Sequence, residues 1–191
     1  MGRVEGKVVL ITGGASGLGR ADALRLAEEG ASLVLTDINL TEGEKLSDEI
    51  GDSAIFLEQD VSDEKSWEIV IAKSVKEFGR LDALVNNAGI APISNIEQTS
   101  TEEWRRVMGV HLDATFFGCR AAIPEMARSG GGSIVNMSSI AALVGLSSYL
   151  SYSAAKGAIR SITKSIAMHC LEVENNIRCN SVHPGSISTP M

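Results

Sequence analysis

At 191 residues and 44% hydrophobic content, the chain is long enough for one domain with a sizeable core, and only 4% aromatic content leaves Val, Ile, Leu and Ala to build it. A net charge of −7 argues against nucleic acid as a main partner, because phosphate binding needs clustered Lys and Arg. No membrane partner is expected: no apolar run approaches the ~20 residues of a bilayer span, and Met1-Gly2-Arg3-Val4-Glu5 lacks a signal peptide's apolar segment.

The first predicted strand, residues 7–12, runs into Thr12-Gly13-Gly14-Ala15-Ser16-Gly17-Leu18-Gly19 and a helix predicted over 17–29. Glycines there let the backbone turn tightly and approach a pyrophosphate, which the amides and dipole of a helix N-terminus favour. A glycine cluster alone also fits an ordinary tight turn; the strand before and the helix after favour the phosphate reading. The second strand, 32–36, is followed by Asp37, 18 residues beyond Gly19, where a dinucleotide fold places a carboxylate on the adenosine ribose hydroxyls. That charge repels a 2′-phosphate, and neither Ser16 nor Ile38 supplies a cation, so NAD is favoured over NADP. Alternatively Asp37 simply caps the next helix, 41–50.

A strand at 54–57, a helix at 64–78 and a strand at 83–86 follow. A long helix is then predicted over 101–128, with Thr101 as N-cap, Glu102 and Glu103 in its first turn, and Pro124 kinking it or marking its last segment. Ser129-Gly130-Gly131-Gly132 stops it. After a strand at 133–137 comes Ser139; a helix at 151–174 opens with Tyr152 and Lys156, four apart on one face; a strand at 177–182 closes the series. Alternation of this kind predicts α/β architecture, a doubly wound parallel sheet in three layers, with residues 1–191 as a single domain.

A free tyrosine ionises near pH 10, so proton transfer at neutral pH needs a neighbouring ammonium, with help from a positively charged nicotinamide. Lys156 offers the ammonium, and the Ser139 hydroxyl, thirteen residues before Tyr152, would hold a substrate oxygen beside the phenol. No metal site is expected, since His111, His169 and His183 lie far apart without i, i+4 partners. Cys119, Cys170 and Cys179 lack C-x-x-C spacing and suit free thiols in a reducing cytoplasm.

Taken together, T-G-G-A-S-G-L-G at 12–19, Asp60-Val61, Asn86-Asn87-Ala88-Gly89, Ser139, Tyr152-x-x-x-Lys156 and Pro184-Gly185 resemble the short-chain dehydrogenase/reductase family over essentially the whole chain. The resemblance implies a Rossmann-like fold, bound NAD, and a small alcohol or ketone substrate, with alicyclic or steroidal alcohols favoured. It implies adenine contacts from Asp60 and Val61, a place beside the cofactor for Asn87, and nicotinamide contacts from Ile187 and Thr189. Tyr152 would be the acid/base, Lys156 would bind the nicotinamide ribose and favour the phenolate, and Ser139 would orient the substrate. The apolar Phe116, Phe117, Ile159, Ile162 and Ile166 on the long helices would pair two copies into a homodimer or tetramer. Gly13, Ser16, Gly17, Leu18, Gly19 and Asp37 complete the expected cofactor set. A 3-oxoacyl-thioester reductase and a catalytically silent NAD-binding module are the alternatives.

Two departures from the pattern stand out. His111 occupies the position where the family usually has an Asn that holds a proton-relay water. Either it replaces that Asn as a titratable relay, giving an acidic limb between about pH 5.5 and 7.5, or it packs without a catalytic role. The family also continues for some tens of residues beyond Pro-Gly-x-x-x-Thr, so ending at Met191 implies loss of the last strand and the substrate lid.

Overall fold

The computed structural model describes residues 2–189. Six strands, β1 (Val8–Thr12), β2 (Ser32–Asp37), β3 (Ala54–Glu58), β4 (Ala83–Asn86), β5 (Gly132–Met137) and β6 (Ile177–Val182), form one sheet in the order β3-β2-β1-β4-β5-β6. Every pairing is parallel. The connections hold α1 (Gly17–Glu28), α2 (Leu40–Ile50), α3 (Glu64–Phe78), α4 (Thr101–Met108), α5 (Ala114–Arg128) and α6 (Leu150–Glu172). This is the expected doubly wound, Rossmann-like α/β fold.

Alternation along β1 explains the two-sided core. Val8 and Leu10 point into a layer with Trp67 and Val70 of α3, Ala122 and Met126 of α5, and Cys170 of α6. Val9 and Ile11 point the other way, to Ala23 of α1 and Leu46 of α2. Because helices cover both faces, all five residues of β1 are buried, which is why the strand reads as a continuous apolar run. The strand order reverses between β1 and β4, and in such sheets the crevice at the carboxyl ends of the strands is the ligand site.

Several element ends differ from the sequence expectation, each for a local reason. β2 extends to Asp37 because that residue pairs with Glu58 of β3. Helix α2 is capped by Asn39, whose side chain accepts from the Glu42 amide, so Asp37 is not the cap. The N-cap of α4 is Ser100 rather than Thr101: its backbone is extended and its hydroxyl accepts from the Glu103 amide at 3.0 Å. Helix α6 stops at Glu172, with Glu174 and Asn176 both at positive φ.

The long central helix is also not one regular helix. Between α4 and α5 it runs through a π-helical turn, Gly109–Asp113, where the Thr115 hydroxyl donates to the His111 carbonyl at 2.7 Å and competes with the regular ladder. Pro124 lies in its last segment, four residues before Arg128. Gly130 and Gly131, at φ 95° and 115°, end it as expected.

Candidate active site

One cavity of about 740 Å³ lies along the carboxyl edge of the sheet. At one end the β1–α1 turn forms part of its wall through Gly13, Ser16, Gly17 and Leu18. Gly13 sits at φ 63°, and a Cβ there would come within 2.8 Å of the Ala88 backbone. Gly19 does not line the cavity; it lets α1 pack under the turn, since a Cβ would meet the Gly13 carbonyl oxygen at 2.2 Å. No acidic residue occupies the first turn of α1, and the Ser16 hydroxyl makes no capping bond. The positive end of the helix is therefore presented without a built-in anion, as a phosphate site requires.

A second layer holds this turn open. The Thr12 hydroxyl accepts from the Asn87 and Ala88 amides, both at 3.1 Å. The Asn87 side chain donates to the carbonyls of Thr12 and Gly13 at 2.9 and 3.1 Å. Asn87 thus lines the cavity while its amide nitrogen bolts the end of β4 to the end of β1. Thr12, buried and essential to that bolt, was not singled out from sequence; its place immediately before the glycine turn was the available signal.

Asp37, Asp60 and Val61 also line the cavity. The Asp37 carboxylate is fixed by two amides, Ala15 to Oδ2 at 3.1 Å and Asn39 to Oδ1 at 3.0 Å. Asp60 accepts from the amide and hydroxyl of Ser62, and the Val61 carbonyl accepts from the buried Trp67 indole at 2.9 Å. Sequence reasoning missed Arg106 of α4, a cation in the same lining.

Farther along the chain, Ser139, Tyr152, Lys156, Ile187 and Thr189 join the same cavity. Ser139 leaves β5 in an extended conformation; its hydroxyl accepts from the Ala141 amide and its carbonyl bonds His183 Nδ1 at 3.1 Å. Lys156 is 4% exposed, donates to the Met137 carbonyl at 2.6 Å, and lies 5.5 Å from the centre of the Tyr152 ring. Burial pulls its pKa down to about 7. Ser138 donates to the Lys156 carbonyl at 2.9 Å, tying α6 to the end of β5.

His111 stands behind this group rather than in the cavity lining. Its ring meets Tyr152 edge-on with centroids 5.5 Å apart, and its Nε2 lies 2.7 Å from the Ile90 carbonyl and 3.1 Å from the Ile90 amide. The ring occupies the space a side chain at Gly89 would need: a Cβ there would approach Cε1 to 2.5 Å. Burial, reinforced by the charge of Lys156, pushes the His111 pKa down to about 3. Desolvation thus favours the neutral ring across the range between about pH 5.5 and 7.5 in which a relay ionisation was expected.

The profile of the short chain dehydrogenase family matches residues 7–191, and the chain belongs to that family. It is 43% identical to an NADP-dependent (R)-specific alcohol dehydrogenase of Lentilactobacillus kefiri, covering 99% of this chain and 76% of that protein. It is 46% identical to a cyclopentanol dehydrogenase of Comamonas testosteroni, covering 100% of this chain and 77% of the relative. A 3-beta-hydroxysteroid dehydrogenase of Comamonas testosteroni is 39% identical, covering 99% and 74%. Among the described residues no group of three His, Cys, Asp or Glu is placed to hold a metal ion, and no helix is long and apolar enough to cross a membrane.

Proposed function

We propose that this protein is an NAD-dependent oxidoreductase interconverting a secondary alcohol and its ketone, with cyclic alcohols as the favoured class. Its main support is the convergence of the anion-ready glycine turn with Ser139, Tyr152 and Lys156 on one cavity. The turn, Asp37, Asp60, Val61, Asn87, Lys156, Ile187 and Thr189 fit a dinucleotide laid between them. Bound nicotinamide supplies the hydride acceptor in oxidation and the donor in reduction. Tyr152 takes the hydroxyl proton as the carbinol is oxidised, and Ser139 Oγ holds the same oxygen in place. The Lys156 ammonium stabilises the Tyr152 phenolate, the form that accepts this proton in oxidation and that remains after the proton is given up in reduction. Neutral His111 fixes the Ile90 backbone and one edge of the Tyr152 ring, a positioning part in place of a titrating one.

Substrate class follows from the remaining lining. Ile90, Ala91, Ile93, Ile140, Leu146 and Ile187 give an apolar surface, suited to an uncharged alcohol. Cyclic substrates are favoured by the similarity to cyclopentanol and hydroxysteroid dehydrogenases. A panel of cyclic and open-chain secondary alcohols, followed by NADH formation, tests this; no reduction of NAD by any of them would leave a silent binding module as the reading.

NAD is expected to bind about tenfold more tightly than NADP, roughly 1.4 kcal/mol, because the fixed Asp37 carboxylate repels a 2′-phosphate. The similarity to an NADP-dependent enzyme, and the presence of Arg106 in the lining, make titration of both cofactors decisive. Equal affinities, or a preference for NADP, would overturn the argument from Asp37.

Residues 1–191 act as one domain in this proposal, assembled as a homo-oligomer. Of the residues expected to drive pairing, Ile159 is buried, and Phe117 and Ile166 pack partly into the core. Phe116 remains 48% exposed beneath the Arg120 guanidinium, and Trp104, Met168 and Leu171 add exposed apolar surface on α4 and α6. Sedimentation at micromolar concentration should show a dimer or larger; a monomer would remove this surface from consideration. Cys119, Cys170 and Cys179 are free and buried, as suits a reducing cytoplasm.

A further inference from the structure

Outside the lining of the cavity, one carboxylate joins three segments that the proposed chemistry needs in register. Glu103, in the first turn of α4, accepts hydrogen bonds at a single oxygen, Oε1, from the hydroxyls of Ser94 and Ser151. Both serines are buried, Ser151 completely. Ser94 Oγ also lies 2.9 Å from Thr99 Oγ1, which donates to the Asn95 carbonyl. Ser151 immediately precedes Tyr152 on α6. Ser94 lies just beyond Ile90, Ala91 and Ile93, which line the cavity.

The backbone repeats the connection. The Ser94 amide donates to the Ser148 carbonyl at 2.9 Å, the Leu150 amide donates to the Ser94 carbonyl at 3.2 Å, and Ser94 bridges Tyr149 in parallel fashion. Tyr149 itself meets Tyr152 with ring centres 6.2 Å apart. Such an isolated bridge has no neighbouring ladder bonds to hold it. A buried hydroxyl left without an acceptor is costly, so both serine side chains are committed to the carboxylate.

We infer that Glu103 is a positioning residue, whose carboxylate latches the first turn of α6, and with it Tyr152, to the 90–95 segment that walls the substrate side of the cavity. The latch rests on the proposed oxidoreductase reading for its effect on turnover, but not for its effect on structure. Displacing a proton-transfer group by about an ångström costs on the order of 100-fold in rate. Loosening the latch should therefore lower kcat more than it weakens cofactor binding, because the glycine turn and Asp37 are built independently of it.

Glu103→Ala, Glu103→Gln and Ser151→Ala are the variants, read by amide hydrogen exchange and by steady-state kinetics. Glu103→Ala should speed exchange at Leu150 and Ser153 at least tenfold, while amides of β1, β4 and β5 keep their parent rates. With a turned-over alcohol, kcat should fall about 10-fold or more, with the NAD dissociation constant within about twofold. Gln keeps a carbonyl acceptor and should restore much of both readouts, whereas Ser151→Ala should reproduce part of the Ala effect. If Glu103→Ala is too unstable to purify, Glu103→Gln and Ser151→Ala carry the same test. Unchanged local exchange, or a kcat equal to the parent's, would overturn the latch. So would a loss of protection spread evenly over the sheet. If the parent reduces NAD with no alcohol, the reading of the reaction fails, while the exchange measurement still decides the latch.

Discussion

Tyr152→Phe is expected to lower the rate of alcohol oxidation about 1000-fold, within the 10²–10⁴ range of a lost general acid/base. The substitution removes one oxygen and leaves the ring between His111 and Tyr149, so packing is kept. NAD affinity should stay within about twofold, since the turn at Gly13–Gly19 and the Asp37 carboxylate are untouched. A variant retaining more than a tenth of the parent rate would mean that another group takes the proton. The pH profile adds a second check. With its pKa near 3, His111 should contribute no acidic limb. Parent and His111→Asn profiles should show the same ionisations between about pH 5.5 and 7.5. A limb lost only in His111→Asn would show that the ring charges after all.

The second large effect belongs to Gly19. Its Cβ in Gly19→Ala would fall 2.2 Å from the Gly13 carbonyl oxygen and 2.6 Å from Asn87 Nδ2. The first neighbour is backbone and the second is bonded to both Thr12 and Gly13, so neither yields without moving the turn. A loss of about 2–3 kcal/mol of stability is expected from overpacking, with NAD affinity reduced at least tenfold. Gly157→Ala in α6 is the control, for no atom lies within 4 Å of its added Cβ. It should be neutral or stabilising by up to about 1 kcal/mol. Urea unfolding and cofactor titration of both variants make the comparison; equal behaviour would remove the special place given to Gly19.

The central strands β1 and β2 were readable from sequence because burial on both faces writes itself as runs of Val, Ile and Leu. Their ends were not, because they depend on partners: only the pairing with Glu58 extends β2 to Asp37. The glycine turn and the Tyr152–Lys156 spacing are local patterns, and the structure brings them to one cavity. The π-helical turn at Gly109–Asp113 escaped, since the periodicity of residues 101–128 hides the bond between Thr115 and the His111 carbonyl. The charge state of His111 was equally out of reach: desolvation is a property of the packed neighbourhood, not of the residue type. Glu103 was legible as a first-turn acid, but Ser151, its partner 48 residues away, was not.

The pairing of β1 with β4 sets Val9 against Ala83, although they lie 74 positions apart in the chain. Parallel neighbours so distant in sequence must close a large loop before they gain any contact, a slow event compared with local helix formation. A nascent chain holding only β1, β2 and β3 already carries the glycine turn and Asp37, yet lacks the Asn87 bolt and the wall bearing Ser139 and Tyr152. The crevice therefore exists only once β4 has paired with β1. A ligand that touches both walls recognises only the docked chain, and at a hundred times its dissociation constant it would favour that form by about 2.7 kcal/mol. Pairing of β1 with β4 and closure of the crevice are, in this molecule, the same contact.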